Sequence, residues 1–362
     1  MKIAIMHSFM DNIGGAEIVS LVLTRELNAD LYTTNIDRQK IIQMGFEDVL
    51  GRVKTIGKIP KKAPFKHQLT LFRFRKLKLG DKYDHYIISG DWAMSAGCNN
   101  KPNTWYVHSP LNELWQWKDY VRKELLSFWK RPIFDAWVLI NRSLTKKYSK
   151  SINNWVCNSK NTQNRIKKYY EQSAEIIYPP IYTNHYKNKE SKKYWLSVNR
   201  LLNHKRVELQ IEAFKKMPDK KLIIVGSYEK NTAQFESYKK KIENSLPENV
   251  EIKNWVPDSE LKSLYSECEG FLTTARDEDF GMTVVEAMSS GKPVVAPLEG
   301  GYIESILNNE TGILIENIES EKIINAVKKI ESNFQDRQNI IINHSKKFDT
   351  SVFIEKISKT II

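Results

Sequence analysis

Carboxylates and backbone amides that could bind a ligand are concentrated between residues 276 and 293. Glu278 and Glu286 have the spacing Glu-x7-Glu, and the segment predicts a loop, then a helix that begins near Gly281, then a Gly-Pro stop. Backbone N–H groups at a helix start favour an anion, and carboxylates accept hydrogen bonds from hydroxyls. Those N–H groups belong to Phe280, Gly281 and Met282. The segment therefore predicts a site for a ligand that carries both phosphate and hydroxyl groups.

Two cations follow an apolar run in the middle of the chain. Arg200 ends a predicted strand, and Lys205 precedes a helix that starts near Val207. Because open α/β sheets bind ligands at the carboxyl ends of their strands, two fixed cations there suit a diphosphate. The alternative is a pair of solvated surface charges. Gly226, after the next predicted strand, is a second place where the backbone could approach a ligand.

Gly14 and Gly15 lie between the first predicted strand, 2–7, and a helix-like run, 18–27. Glycines at such a turn allow close approach of a phosphate. The sequence has neither the Gly-x-Gly-x-x-Gly fingerprint nor a Walker A loop at this point. A plain tight turn and a ligand-contacting loop both remain open.

The elements that must position these residues form two series. Short runs rich in Ile and Val alternate with longer helical patterns, which predicts βαβ units and two doubly wound parallel sheets, an α/β fold. The predicted strands are 2–7, 86–89, 104–107 and 154–158, then 194–198, 222–225, 250–254, 270–273 and 293–296. The prolines of Tyr178-Pro179-Pro180-Ile181 predict an extended junction between the two domains. The pattern from residue 318 to residue 362 predicts helix throughout.

A length of 362 residues suits two domains, and the 41% hydrophobic and 27% charged composition is that of a folded globular protein. Three scattered cysteines predict neither disulfides nor a zinc site, which favours a cytoplasmic location. We expect neither a signal peptide nor a membrane-spanning segment, so that any contact with a membrane is peripheral. The net charge of +13 predicts an anionic partner.

Most of that excess lies in residues 54–82, which carry ten basic side chains and one acidic one. Apolar and aromatic residues are interleaved with the cations. This pattern suits contact with an anionic membrane, and it also suits an amphipathic helix packed on the first domain with its basic face solvated. Single-stranded RNA is a weaker alternative because no RNA-binding motif accompanies the charge, and we expect no nucleic-acid partner. The cations chosen to test membrane contact are Lys61, Lys62, Arg73 and Arg75.

Together these motifs resemble the retaining glycosyltransferases of family 4, also called glycosyl transferases group 1. The run Asp-Glu-Asp-Phe-Gly with Glu278 and Glu286 is similar to the family's Glu-x7-Glu motif. Further similarities occur in the family's order along the chain. They are Gly14-Gly15, Asn158-Ser159, Tyr178-Pro179-Pro180, Arg200, Lys205, Gly300-Gly301, Glu304 and Thr311-Gly312. The resemblance implies the GT-B fold, in which two Rossmann-like doubly wound domains face each other across a cleft.

The resemblance also implies roles for individual residues. Glu278 would contact hydroxyls of the donor sugar, Glu286 the ribose, and Arg200 with Lys205 the diphosphate. His108, in Trp-Tyr-Val-His-Ser-Pro, matches the family's histidine at the edge of the sugar. The remaining donor contacts that the resemblance implies would come from Gly14, Gly15, Phe280, Gly281 and Met282. Gly226 joins the predicted donor contacts on its place after a strand alone.

The implied reaction breaks the bond between the anomeric carbon and phosphate, with attack on the same face and no protein nucleophile. Asp277-Glu278-Asp279 also spells Asp-x-Asp, a motif that binds a metal in another glycosyltransferase fold. We expect no metal and no cofactor, because Arg200 and Lys205 supply positive charge for the diphosphate.

The resemblance is greatest to mannosyltransferases that use GDP-mannose and build O-antigens or lipid-linked oligosaccharides. We therefore expect a lipid-linked saccharide acceptor and a position on the inner face of the cell membrane. The run Met282-Thr283-Val284-Val285 departs from the family's pattern, which leaves a UDP-sugar donor open. A UDP-N-acetylglucosamine 2-epimerase and a non-catalytic sugar-nucleotide binder are the alternatives outside the transferases. The expected divisions are an acceptor domain at 1–180, a nucleotide-sugar domain at 181–345, and a terminal helix at 346–362 that packs on the first domain.

Overall fold

A computed structural model describes residues 1–60, 65–227, 238–240, 242–244 and 246–361 of the chain. Contacts between residues divide the chain into two compact units. The first comprises residues 1–180 with 353–362, and the second comprises residues 181–352. Each unit is a parallel sheet between helices, so the predicted doubly wound α/β class is confirmed.

The sheet of the first unit has seven parallel strands in the order β3-β2-β1-β4-β5-β6-β7. The strands are β1 Ile3–Met6, β2 Asp30–Thr33, β3 Val53–Thr55, β4 His85–Ile88, β5 Asn103–Val107, β6 Asn154–Cys157 and β7 Glu175–Ile176. The main helices are α1 Gly15–Glu26, α2 Arg38–Gln43, α3 Lys66–Lys76, α4 Arg131–Ser149 and α5 Lys160–Tyr170. Because the strand order reverses between β1 and β4, a crevice for ligands is expected beyond the carboxyl ends of those two strands.

The sheet of the second unit has six parallel strands in the order β10-β9-β8-β11-β12-β13. The strands are β8 Tyr194–Arg200, β9 Lys221–Ser227, β10 Val250–Lys253, β11 Gly270–Leu272, β12 Val294–Pro297 and β13 Gly312–Ile315. The helices are α6 Val207–Lys215, α7 Asp258–Glu267, α8 Met282–Ser289, α9 Tyr302–Ser305, α10 Ser320–Asn333, α11 Gln338–Ser345 and α12 Thr350–Thr360, whose C-terminal part belongs to the first unit. In this sheet the order reverses between β8 and β11.

The core of each unit lies on its central strands. Trp105 on β5 is fully buried against Trp155 and Tyr170, with ring centroids 4.8 and 5.7 Å away. Trp195 on β8 is fully buried in the second unit, where it belongs to the same apolar cluster as Phe214 of α6. Burial of side chains this large is the main driving force for both units.

The structure departs from the sequence expectations at short elements. β2, β3, β7 and β13 were not predicted, and the single helical pattern of 318–362 is three helices separated by turns at 334–337 and 346–349. The second unit also continues past the expected end at residue 345. The reason is that His344 Nε2 lies 3.0 Å from the Ser305 carbonyl oxygen and Phe348 packs on Phe280.

Within the described ranges, no helix has both the length and the apolar character needed to cross a membrane.

Candidate active site

The two cations of the second unit lie in the turn that follows β8. Arg200 is the last residue of that strand and is exposed, and Lys205 ends a short 3-10 turn before α6 begins at Val207. The Lys205 Nζ atom lies 2.5 Å from Oε2 of Glu278, in the loop after β11. Because β8 and β11 flank the point where the strand order reverses, the pair lies where an open α/β sheet binds ligands. The structure thus brings together two of the predicted site residues that are far apart in sequence.

The surroundings of Glu278 favour the ionised form of its carboxyl. Partial burial would raise the pKa of its carboxyl, but the nearby Lys205 ammonium and the hydrogen bond from it hold that pKa below its ordinary value. The neighbouring His204 is neutral, because burial and the adjacent Lys205 lower its pKa to about 3. The pair therefore presents one fixed cation and one fixed carboxylate.

The pKa of Glu286 is shifted in the opposite direction from that of Glu278. It lies in the second turn of α8, and the Tyr265 hydroxyl donates to its Oε2 over 2.7 Å. Burial raises the pKa of the Glu286 carboxyl, and hydrogen bonds from Tyr265 and Tyr186 offset only part of that shift. The two glutamates of the Glu-x7-Glu motif are therefore not equivalent acceptors.

The loop that carries Glu278 is fixed by close backbone contacts with the loop after β12. The Gly301 N–H donates to the Glu278 carbonyl over 2.8 Å. A Cβ atom on Gly300 would lie 2.4 Å from that carbonyl oxygen, and one on Gly301 would lie 2.4 Å from the Phe280 Cα atom. Gly300 also has φ +63°, which favours glycine. Only glycines allow the two loops to approach this closely.

The start of α8 is arranged as the sequence predicts. Gly281 has φ +89° and precedes the first helical residue, Met282, and no side chain caps the helix. A Cβ atom on Gly281 would lie 2.5 Å from the Tyr302 ring, whose hydroxyl is 2.9 Å from the Thr273 hydroxyl. Phe280 is buried against Phe348, so any ligand contact at residue 280 comes from its backbone. The Val284 N–H donates to the Gly281 carbonyl over 3.1 Å, so the N–H groups of this turn that could face an anion are those of Met282 and Thr283.

Arg206 joins the loops after β8, β11 and β12, and the sequence analysis missed it. Its Nε donates to the Thr274 carbonyl over 2.7 Å, and its guanidinium pairs with Glu299. Thr274 in turn donates its hydroxyl to the Lys205 carbonyl over 2.7 Å. Nothing in the sequence near Arg206 distinguishes it from the other cations of the chain, since its partners lie 68 and 93 residues away.

Gly226 lies on β9 opposite Asn199 of β8. A Cβ atom there would lie 2.7 Å from the Leu201 side chain, so the glycine makes room for a buried leucine. This packing explains the residue without a ligand, and contact of Gly226 with a donor stays a prediction.

In the first unit, His108 follows β5 and belongs to a chain of imidazole and hydroxyl groups. Its Nε2 lies 2.8 Å from the Ser89 hydroxyl, which lies 2.8 Å from the Ser20 hydroxyl, which lies 3.1 Å from Nδ1 of His7. His7 follows β1 and Ser89 follows β4, and these strands with β5 are neighbours in the sheet. This hydrogen-bonded chain of side chains therefore spans the reversal of strand order in the first unit, as Lys205 and Glu278 do in the second unit.

Burial lowers the pKa of His108 to about 3, so its imidazole is neutral at pH 7. Its backbone carbonyl accepts from the Asn158 side chain over 2.8 Å, and Ser159 caps α5 by accepting from the Thr162 N–H over 3.0 Å. The sequence analysis named Asn158 and Ser159 only as part of a resemblance, and it did not select Ser20 or Ser89. Ser89 could have been found as the last residue of the predicted strand 86–89.

Gly14 and Gly15 lie where the sequence places them, between β1 and α1. α1 begins at Gly15, and Gly14 precedes it with an extended φ of −169° that any residue adopts. A Cβ atom on Gly14 would meet only the end of the Glu17 side chain. A ligand role for the two glycines therefore stays a prediction.

The proposed membrane cations divide into three cases. Lys61 and Lys62 lie outside the described residues. Arg73 is exposed on α3, and its guanidinium reaches the Ile56 carbonyl over 3.3 Å. Arg75 is half-buried and donates to the Asn99 side chain over 3.1 Å, so its charge is engaged within the unit.

Comparisons with known proteins show which family and fold this chain is similar to. Residues 181–347 match the family model described as glycosyl transferases group 1. An alpha-1,3/1,6-mannosyltransferase ALG2 of Dictyostelium discoideum is 24% identical over 393 residues, covering 91% of this chain and 89% of that protein. A GDP-Man:Man(3)GlcNAc(2)-PP-Dol alpha-1,2-mannosyltransferase of Xenopus tropicalis is 32% identical over 170 residues, covering 41% of this chain and 35% of that protein.

The chain spans about half the length of other curated relatives that it matches. Among solved structures, Anabaena Alr3699/HepE in complex with UDP-glucose superposes with a TM-score of 0.76 over 100% of this chain and 99% of that one, at 19% identity. The chain therefore has the GT-B fold, and its residues 181–347 carry a glycosyl transferases group 1 domain.

Proposed function

We propose that the protein is a retaining glycosyltransferase that moves a sugar from a nucleoside diphosphate to a saccharide acceptor. The observation that carries the proposal is the pair formed by Lys205 and Glu278 at the reversal of strand order in the second sheet. A cation beside a carboxylate suits a ligand whose diphosphate is joined to a polyhydroxylated sugar.

The proposed chemistry follows from the charges. The bond between the anomeric carbon and the phosphate oxygen breaks, and its electron pair leaves with the diphosphate. The acceptor hydroxyl oxygen bonds to the same face of the anomeric carbon, and its proton passes to the departing phosphate oxygen. Lys205, Arg200 and the N–H groups at the start of α8 would stabilise the added negative charge, an effect that contributes several kcal/mol in preorganised sites. Glu278, held ionised by Lys205, would accept hydrogen bonds from sugar hydroxyls rather than attack the anomeric carbon. Glu286 would accept from the ribose, and His108 keeps the sugar-contacting role that the resemblance implies.

We propose GDP-mannose as the donor and a lipid-linked saccharide as the acceptor. Support comes from the names of two relatives, an alpha-1,3/1,6-mannosyltransferase and an enzyme named for GDP-Man and a PP-Dol acceptor. The UDP-glucose complex shares the fold with this chain at 19% identity, which does not bear on the donor. An acceptor of this class would place the protein at the cytoplasmic face of the cell membrane as a peripheral protein.

The proposal includes metal independence, because the cations of the chain supply the positive charge that the diphosphate needs. Purified protein incubated with EDTA, GDP-mannose and a lipid-linked saccharide should still form product. Loss of activity in EDTA that Mn²⁺ restores would refute this part of the proposal.

The decisive experiment is sugar transfer measured by the mass of the extended glycolipid, with GDP-mannose and UDP-glucose as parallel donors. NMR of the product then shows whether the anomeric configuration is retained. Transfer from UDP-glucose alone would replace the donor, and an inverted product would refute the mechanism. Absence of transfer from either donor, with epimerisation of UDP-N-acetylglucosamine instead, would refute the proposed function.

A further inference from the structure

Large apolar side chains are exposed on one part of the first unit. Of the fourteen that are exposed in the described ranges, eight lie in residues 65–72 or 128–140. We call these eight the outward apolar surface: Phe65, Leu69, Phe72, Phe128, Trp129, Ile133, Leu139 and Ile140. Concentrations of exposed apolar side chains mark interaction sites, whereas single ones need no explanation.

The helix α4 departs from the polarity expected for a helix on a water-soluble surface, because Asn141, Thr145 and Ser149, three of its four buried residues, are polar. It buries Asn141 and Thr145, which are 1% and 0% exposed, and it exposes Ile133 and Leu139, which are 73% and 69% exposed. A helix in contact with water places its apolar stripe inward and its polar residues outward. The outward face of α4 is therefore suited to an apolar environment.

The helices α3 and α4 are linked by a hydrogen bond and by a shared apolar cluster. Gln68 Nε2 donates to Asn141 Oδ1 over 2.8 Å, and Leu71 and Val138 belong to one buried cluster. Gln68 precedes Leu69, and Asn141 follows Ile140. The hydrogen bond therefore joins the two helices one residue away from the exposed Leu69 and Ile140.

The charges around this surface are mostly positive. Residues 122–150 carry eight basic and two acidic side chains, and residues 65–80 carry five basic side chains and no acidic one. One of the two acidic residues, Asp135, is already paired with Arg122, with 2.8 Å between Oδ2 and Nε. The Lys76 ammonium lies 4.3 Å from the centre of the Phe72 ring, and the Lys130 ammonium lies 5.5 Å from that of Trp129. Aromatic and aliphatic side chains edged by cations complement lipid acyl chains beneath anionic headgroups.

We propose that the outward apolar surface is where the protein docks on an anionic membrane. The apolar side chains of α4 and of the turn before it enter the interface, and exposed cations such as Lys130 and Lys147 contact the headgroups. Trp129 is of a type enriched at membrane interfaces. The inference deepens the proposed function, since it rests on a membrane-held acceptor, and it extends the expected contact from residues 54–82 to a neighbouring helix.

The test is flotation of the purified full chain with phosphatidylglycerol vesicles and with phosphatidylcholine vesicles. The wild type should float with the anionic vesicles, and salt should weaken its binding. Trp129→Ser combined with Ile133→Ser should reduce partitioning by about tenfold or more. Lys130→Glu combined with Lys147→Glu should reduce binding to anionic vesicles in particular. The matched control is Trp255→Ser combined with Ile340→Ser, since those residues are 48% and 50% exposed in the second unit.

Equal flotation of the two Trp/Ile double variants would overturn the proposal, as would a wild type that does not float. Circular dichroism checks that each variant is folded. A wild type that does not float but sediments as a dimer would overturn the proposal. If only the Trp129/Ile133 variant then loses the dimer, the surface binds a second copy of the chain. The assay contains no donor and no acceptor, so failure of sugar transfer with intact flotation would refute the proposed function alone.

Discussion

The two units place chemically different groups at equivalent positions of their sheets. At the reversal of strand order in the second unit, Lys205 and Glu278 form an ion pair, and Arg206 pairs with Glu299 nearby. At the reversal in the first unit, imidazole and hydroxyl groups form a hydrogen-bonded chain that ends at the neutral His108. The same topology thus supports a charged site in one unit and a chain of imidazoles and hydroxyls in the other.

This difference matches the parts of the proposed reaction. A diphosphate carries fixed charge and needs cations that are already in place. A saccharide carries hydroxyls, which imidazole and hydroxyl groups can bind without the desolvation cost of a charge. We therefore propose that Lys205 of the charged site binds the donor phosphates, and that sugar hydroxyls contact both Glu278 and His108. The following predictions test that division.

The largest effect is expected for the charged site. Lys205→Ala should lower kcat by about 100-fold or more, because it removes a cation that stabilises the leaving diphosphate. Glu278→Ala should lower kcat by a similar factor. Steady-state transfer rates provide the measurement, and Lys216→Ala is the control because Lys216 forms half-exposed ion pairs with Glu212 and Glu321. Near-wild-type rates for both site variants would remove the charged site from the mechanism.

The next largest effect is expected for a substitution in the loop after β12, which positions the loop of Glu278. Gly301→Ala would add a Cβ atom 2.4 Å from the Phe280 Cα atom and 2.5 Å from the Asp279 carbonyl oxygen. Because Gly301 has φ −72°, alanine is conformationally acceptable, and the contact alone should destabilise the protein by about 1–3 kcal/mol. We expect weaker binding of the donor as well, measured by calorimetry beside urea unfolding. Gly51→Ala is the control, since its Cβ would meet nothing within 4 Å.

The sequence predicted the charged site better than the His108 chain. Lys205 and Glu278 were found because each belongs to a local pattern: a cation between a strand and a helix, and a loop before a helix. Ser20 and Ser89 lie 69 residues apart, and only the placement of β4 beside β1 gives them a joint role. Arg206 and Tyr265 were missed for the same reason. The central strands were predicted from their apolar runs, whereas β3 and β7, with three and two residues, are too short to show a period.

An intermediate effect is expected for the His108 chain. Ser89→Ala removes the hydroxyl that lies 2.8 Å from both the Ser20 hydroxyl and His108 Nε2. Leaving these buried groups with one partner fewer should cost about 1–3 kcal/mol of unfolding free energy. If the division of roles is correct, the nucleotide affinity stays at the wild-type value while the transfer rate falls. Ser332→Ala, on an exposed part of α10, is the control, and a loss of nucleotide affinity in Ser89→Ala would contradict the division.

The smallest expected effect is on the pH dependence of the unfolding free energy, which should differ in sign for the two glutamates of the motif. The pKa of Glu278 is lowered in the folded protein, so its stabilising contribution is present above the unfolded pKa and is lost as the pH falls through the folded pKa. The pKa of Glu286 is raised, so its contribution is present below the unfolded pKa and is lost as the pH rises through the folded pKa. Glutamine mimics the protonated state at both positions.

Glu278→Gln should therefore become less stable relative to the wild type as the pH rises from about 4 to about 8, and Glu286→Gln should become more stable relative to it. Urea unfolding at several pH values measures both slopes, and each variant serves as the control for the other. Slopes of the same sign would mean that the two carboxylates share one environment. The charged site would then include Glu286 as well as Glu278. The hydrogen bond from Tyr265 to Glu286 would in that case not mark a different electrostatic environment.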